Sequence, residues 1–158
     1  MIRHIVRSAD FERVLGTPIR ARSVHFAVHH LVDVPMSPRK TVIHQLSTEL
    51  STASRMAISP AVDDSHKETL ATNLWLGAVV PRRHAKRAVT RSLLKRQIRA
   101  AAERNSCLPG GLWVVRLRAP FDRSAFSSAA SDALRQAARD ELDQLLADAV
   151  RRVPGRSK

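Results

Sequence analysis

Apolar and polar positions along the chain fall into two kinds of pattern. Residues 23–32, SVHFAVHHLV, alternate: Val24, Phe26 and Val28 take one face, His25, Ala27, His29 and Leu31 the other. That period of two is the mark of a β-strand. The runs NLWLGAVV (73–80) and LWVVRLR (112–118) are almost wholly apolar and are bounded by Pro81 and by Pro109-Gly110-Gly111. They predict two further strands, and Ile19–Arg22 predicts a short one before the first. Helical spacing governs the rest. Phe11, Val14 and Leu15 share a face over 8–15, with Ser8 placed to cap and Gly16 to stop. Residues 84–104 predict a second helix. A third opens at Asp122 or Ser124 and carries Leu134, Ala138, Leu142, Leu145 and Ala149 at helical spacing, with Pro154 as its limit.

Residues 34–72 break these patterns. They contain Pro35, Pro38 and Pro60 among many Ser and Thr, and predict a flexible insertion between two strands. Residues 153–158 predict a loose tail. The expectation is a single domain over 1–158 in the α+β class, with a mixed sheet of about four strands in the order α-β-β-β-α-β-α.

Composition sharpens this picture. The chain has 158 residues, 44% of them hydrophobic, enough for a core. Its single cysteine, Cys107, excludes an internal disulfide or a multi-cysteine zinc site. No apolar run approaches a membrane span, and the N-terminus lacks the apolar stretch of a secretory signal. A soluble protein of the cytoplasm is expected, with no membrane partner.

Charge is the strongest single signal. Lys and Arg number 27 against 14 Asp and Glu, for a formal net charge of +13. Residues 82–104 hold nine basic groups (Arg82, Arg83, Lys86, Arg87, Arg91, Lys95, Arg96, Arg99, Arg104) and one acid, Glu103, so +8 of the +13 lies there. Arg87, Arg91, Lys95 and Arg99 fall within about 120° of the helix circumference. Val89, Leu93, Leu94, Ala100 and Ala101 take much of the opposite arc, and Ile98 fits neither side. Like charges four residues apart destabilise an isolated helix. A polyanion that supplies the missing negative charge is the reading that explains them, and Arg over Lys suits bidentate phosphate contacts.

No catalytic constellation of protein side chains is evident. His25 and His29 share a predicted strand face, yet four residues of strand set them about 13 Å apart, too far for one metal ion. Asp63–Asp64 lies in the insertion and reads as a solvated pair. Cys107 sits in a turn with no evident base beside it. Trp75 and Trp113 read as core or sheet-edge residues.

The stretch LWLGAVVPRRHAKRAVTRSLLKRQIRA, with ADFERVLG and RSVHFAV before it and LPGGLWVVRLRAPFD after it, resembles the protein subunit of bacterial ribonuclease P. The matching positions are Gly77, Val80, Arg82–Arg83, Ala88–Val89, Arg91, Lys95–Arg96 and Arg99. Ser92 stands where that family usually has Asn, Leu15 and His29 stand where many members have aromatics, and residues 34–72 replace a short connection.

The resemblance implies a fold like the second domain of the fifth small-subunit ribosomal protein, with a left-handed crossover around the basic helix. It implies a subunit of a ribonucleoprotein endonuclease, a hydrolase of tRNA processing whose RNA cleaves the 5′ leader from precursor tRNA with Mg²⁺ held mainly by the RNA. The implied partners are the catalytic RNA and precursor tRNA, with no obligate protein partner. Arg82, Arg83, Lys86, Arg87, Arg91, Ser92, Lys95, Arg96 and Arg99 would bind that RNA; Phe11, Leu15, Phe26 and Val28 would line a cleft for the leader. No protein residue is expected to be catalytic. The alternative is a non-catalytic binder of structured RNA, of ribosomal type. A DNA-binding regulator is disfavoured because strands flank the basic helix on both sides.

Overall fold

A computed structural model describes residues 2–36, 73–128 and 131–153. The predicted insertion therefore lies, beyond its first three residues, outside the described residues, as does the tail after Val153. The elements are β1 (Ile2–His4), α1 (Ser8–Leu15), β2 (Ile19–Arg22), β3 (Phe26–Leu31), β4 (Leu74–Val79), α2 (Ala88–Arg104), β5 (Gly111–Leu117) and α3 (Asp132–Arg151). The class is α+β, as expected, but the sheet has five strands rather than about four, in the order β1-β4-β5-β3-β2. The addition is β1, which pairs parallel to β4 through Ile2, Arg3 and His4. β4 and β5 are parallel, with α2 crossing between them; β3 runs antiparallel to both β5 and β2.

The sheet buries both faces unequally. Helices α2 and α3 cover one face, over Phe26, Val28, Leu74, Leu76, Trp113, Val115 and Leu117. Trp113 is fully buried there; its Nε1–H donates to the Pro109 carbonyl at 2.9 Å, and the His30 ring stacks on it. The α3 positions Leu134, Ala138, Leu142, Leu145 and Ala149 are all buried, as their spacing requires. The opposite face carries a smaller cluster of Trp75, Leu112 and Val114 under Val14, Phe11 and Leu15 of α1.

Several local expectations change. Arg7, not Ser8, occupies the cap position of α1, and its side chain does not cap the helix. α2 starts at Ala88, because Pro81–Arg87 is spent on turns. α3 starts at Asp132, where the Ser131 hydroxyl accepts from the Leu134 N–H at 3.1 Å. Asp122 instead closes its own turn, accepting from the N–H and hydroxyl of Ser124. Residues 34–36 are not loose: Val34 packs beside α1, and the Met36 N–H donates to the buried Asp10 carboxylate at 3.0 Å. Arg13 bridges Asp10 and Asp33 alongside. Val153 packs against the main core rather than fraying.

Gly111 has φ +119°, and a Cβ there would stand 2.6 Å from the Leu31 carbonyl oxygen, so the entry to β5 requires glycine.

Candidate RNA-binding surface

The face that α2 turns to solvent differs by a partial rotation from the one periodicity suggests. Leu93, Leu94, Ile98, Ala101 and Ala102 are buried against the sheet and α3. Ile98, which fitted neither arc, is fully buried, whereas Val89, expected inward, is 56% exposed. The exposed arc carries Ser92, Lys95, Arg96 and Arg99. Arg91 lies at its border, half-buried. Its Nη1 donates to the carbonyls of Ala85 (2.9 Å) and Lys86 (2.8 Å), so it holds the turn that precedes the helix. Arg87 precedes the first turn and reaches across to the Ser127 carbonyl at 3.4 Å. Arg82, Arg83 and Lys86 are exposed on the 81–87 turns, with Arg83 Nε donating to His84 Nε2.

Carboxylates are distributed the other way. α3 carries most of those in the described C-terminal part, and they are engaged: Asp143 with Arg104 and Arg139, Asp132 with Arg135, Asp148 with Arg151. Glu141 accepts from the Ser23 hydroxyl, the His25 backbone N–H (2.7 Å) and the His25 ring (2.7 Å). Among the described residues, none of the cations at 82, 83, 86, 87, 91, 95, 96 and 99 pairs with a carboxylate. Among the described residues, these side chains therefore gather positive charge along one edge with no carboxylate bonded to it.

The second group of predicted site residues is divided by the sheet. Phe11 and Leu15 are half-buried on the α1 face. Phe26 and Val28 are 0% exposed on the opposite face, under α2 and α3. They cannot line one cleft with α1. Alternation along β3 separates two sets of residues, and it is Ala27, His29 and Leu31 that share the α1 side. The same side brings Val79 and Arg116 near α1.

His29 and His30 are both buried and both held below the ordinary histidine pKa, chiefly by burial. His29 Nδ1 donates to the Thr17 carbonyl at 2.9 Å and His30 Nε2 to the Gly110 carbonyl at 3.1 Å, so the two neutral rings are opposite tautomers. Their roles are structural: one ties β3 to the end of α1, the other to the turn before β5. Among the described residues, no cluster of three His, Cys, Asp or Glu stands ready to hold a metal ion, and no helix is long and apolar enough to cross a membrane. Periodicity gave no sign that Phe121, Arg123 and Phe126 line a pocket together with Arg83, Lys86 and Arg87, because the segment around them reads as a helix start.

Comparison with known proteins shows the family and the fold. The family model described as Ribonuclease P matches residues 2–146. The ribonuclease P protein component of Paraburkholderia xenovorans is 40% identical over 83 residues, covering 51% of this chain and 59% of that protein. That of Burkholderia pseudomallei is 41% identical over 83 residues, covering 52% and 61%. The chain thus spans about three fifths of the length of these curated relatives. Two structures of the ribonuclease P protein of Staphylococcus aureus share the fold. One has a TM-score of 0.51 at 19% identity, covering 92% of this chain and 94% of that one. The other has 0.52 at 16%, covering 98% and 94%.

Proposed function

The chain belongs to the ribonuclease P protein family, and from that premise we propose that it is the protein subunit of a ribonucleoprotein endonuclease that removes the 5′ leader of precursor tRNA. The observation that carries this reading is the row of exposed cations on α2 and the 81–87 turns, none paired with a carboxylate among the described residues. Such a row is costly to a protein on its own and favourable against RNA phosphates, whose counterions it releases.

In this reading the RNA subunit is the catalyst and holds the Mg²⁺. The described residues offer no ligand cluster that would fit the ion, and no step is assigned to the protein through it. Lys95, Arg96, Arg99 and Ser92 meet the RNA from α2, and Arg82, Arg83 and Lys86 extend the contact along the turns. Arg91 acts indirectly, by fixing the turn that presents its neighbours. The leader is taken on the α1 side by Phe11 and Leu15, with Val79 and Arg116 of the sheet. Stacking on Phe11 would be tolerant of sequence, as a leader of varied sequence requires.

The test is reconstitution with ribonuclease P RNA, precursor tRNA and Mg²⁺. The expected result is leader removal only when RNA is present, with affinity that rises with leader length. Cleavage by the protein alone would overturn the reading. Binding to the RNA with no effect of leader length would favour a plain structured-RNA binder.

A further inference from the structure

A pocket of about 240 Å³ lies between the turn leading into α2 and the 120–128 segment that leads to α3. Its rim carries four cations, Arg83, Lys86, Arg87 and Arg123, with no carboxylate paired to any of them among the described residues. The adjacent Asp122 is not part of the lining and accepts from the N–H and hydroxyl of Ser124. The pocket's apolar lining is formed by the exposed Pro120 and the half-buried Phe121 and Phe126, over the fully buried Leu94. This lining is also braced. Phe126 packs edge-on to Phe121, and the His25 ring stacks on Phe121 with centroids 3.9 Å apart. His25 is held in turn by Glu141 of α3. The Arg87 bond to the Ser127 carbonyl ties the two walls together.

A rim of cations around an apolar, aromatic lining is more than a phosphate site. An inorganic anion would gain nothing from Phe121 and Phe126, and an apolar peptide side chain would gain nothing from four cations. A nucleotide uses both: its base covers the apolar lining while its phosphate is shared among the guanidinium groups. We propose that this pocket receives one unstacked nucleotide of the catalytic RNA. The inference rests on the proposed function and adds to it a residue, Arg123, that lies outside the basic helix and its leading turns. Because both walls and the lining are already held in place, little ordering accompanies binding.

Two variants and one titration test this in the full chain reconstituted with ribonuclease P RNA. Ser127 is an exposed wall residue, so Ser127→Trp fills the pocket and removes no charge. It should weaken RNA binding about tenfold with the salt dependence unchanged. Arg123 is exposed on a turn, and Arg123→Ala should weaken binding and flatten log K against log salt by about 0.7. In the titration, nucleoside 5′-monophosphates should shift the backbone amide resonances of 83–87 and 121–128 at lower concentration than inorganic phosphate does. If the parent protein binds the RNA and both variants match it, the pocket proposal fails while the proposed function stands. If the parent does not bind that RNA, both fall. Equal response to inorganic phosphate and nucleotide would reduce the site to a simple anion site and overturn the base contact.

Discussion

The Phe11 ring of α1 lies directly over Gly77 of β4: a Cβ built on Gly77 would come within 2.3 Å of a Phe11 ring carbon. The glycine is thus a seat for the ring, and it sets how closely α1 approaches the sheet. Gly77→Ala must displace Phe11 and should cost about 1–3 kcal/mol in urea unfolding, the usual range for overpacking. In a Phe11→Ala background the same substitution should cost much less. Equal costs in both backgrounds would show that the two positions do not interact.

Arg91 and Lys95 should separate under mutation although they are four residues apart. Lys95→Ala, and likewise Arg99→Ala, should leave unfolding unchanged and lower the salt slope of RNA binding by about 0.7–0.9 for each phosphate no longer neutralised. Arg91→Ala removes the donor that satisfies the Ala85 and Lys86 carbonyls. It should cost about 1 kcal/mol of stability. A smaller salt slope in Arg91→Ala with unchanged stability would contradict the geometry.

Stability should fall on mild acidification. The pKa values of His29 and His30 are depressed in the folded protein, from an ordinary 6.5. Below that value the unfolded chain takes up protons that the buried rings refuse. The histidine contribution is therefore complete above the unfolded pKa and is lost as pH drops from about 6.5 towards the folded values, by up to about 1.4 kcal/mol per pH unit per ring. Unfolding free energies measured between pH 7.5 and about 5 should show this slope. His29→Asn should reduce it, and a flat profile would mean that the rings are not held neutral.

Glu141 governs a lower window. Burial raises its pKa, but hydrogen bonds from Ser23 and His25 outweigh burial and leave it below the ordinary 4.5. Its contribution is present above the unfolded value and is lost as pH falls through the folded one. Glu141→Ala should cost about 1 kcal/mol at neutral pH by removing the acceptor of the half-buried donors of the Ser23–His25 turn. The variant should also lose less further stability than the parent below about pH 4.5. Calorimetric unfolding of both across that range decides it.

Much of this molecule was legible from residue pattern. β2 came out at the expected residues because alternation and turn residues are local properties. The buried stripe of α3 did so for the same reason: helical spacing alone aligns Leu134, Ala138, Leu142, Leu145 and Ala149. The concentration of cations around α2 needs no coordinates either, since it is a fact of chain order, and so is the motif that placed the chain among its relatives. β1 was invisible because three residues carry no periodic signal, and Ile2–His4 are extended only because β4 offers hydrogen bonds beside them.

What residue order left open were relations between elements. Alternation divides β3 into Phe26 and Val28 on one side and Ala27 and His29 on the other, but both sides are apolar enough to be covered. Which set meets α1 was decided only when Val14 settled against Leu112 and Val114. Likewise, the rotation of α2 about its axis buried Ile98 and exposed Val89, and it drew Arg91 back onto the preceding turn while leaving Lys95 in solvent. Periodicity specifies that a helix has an inner face; the shape of the surface it packs against selects the residues at that face's edges.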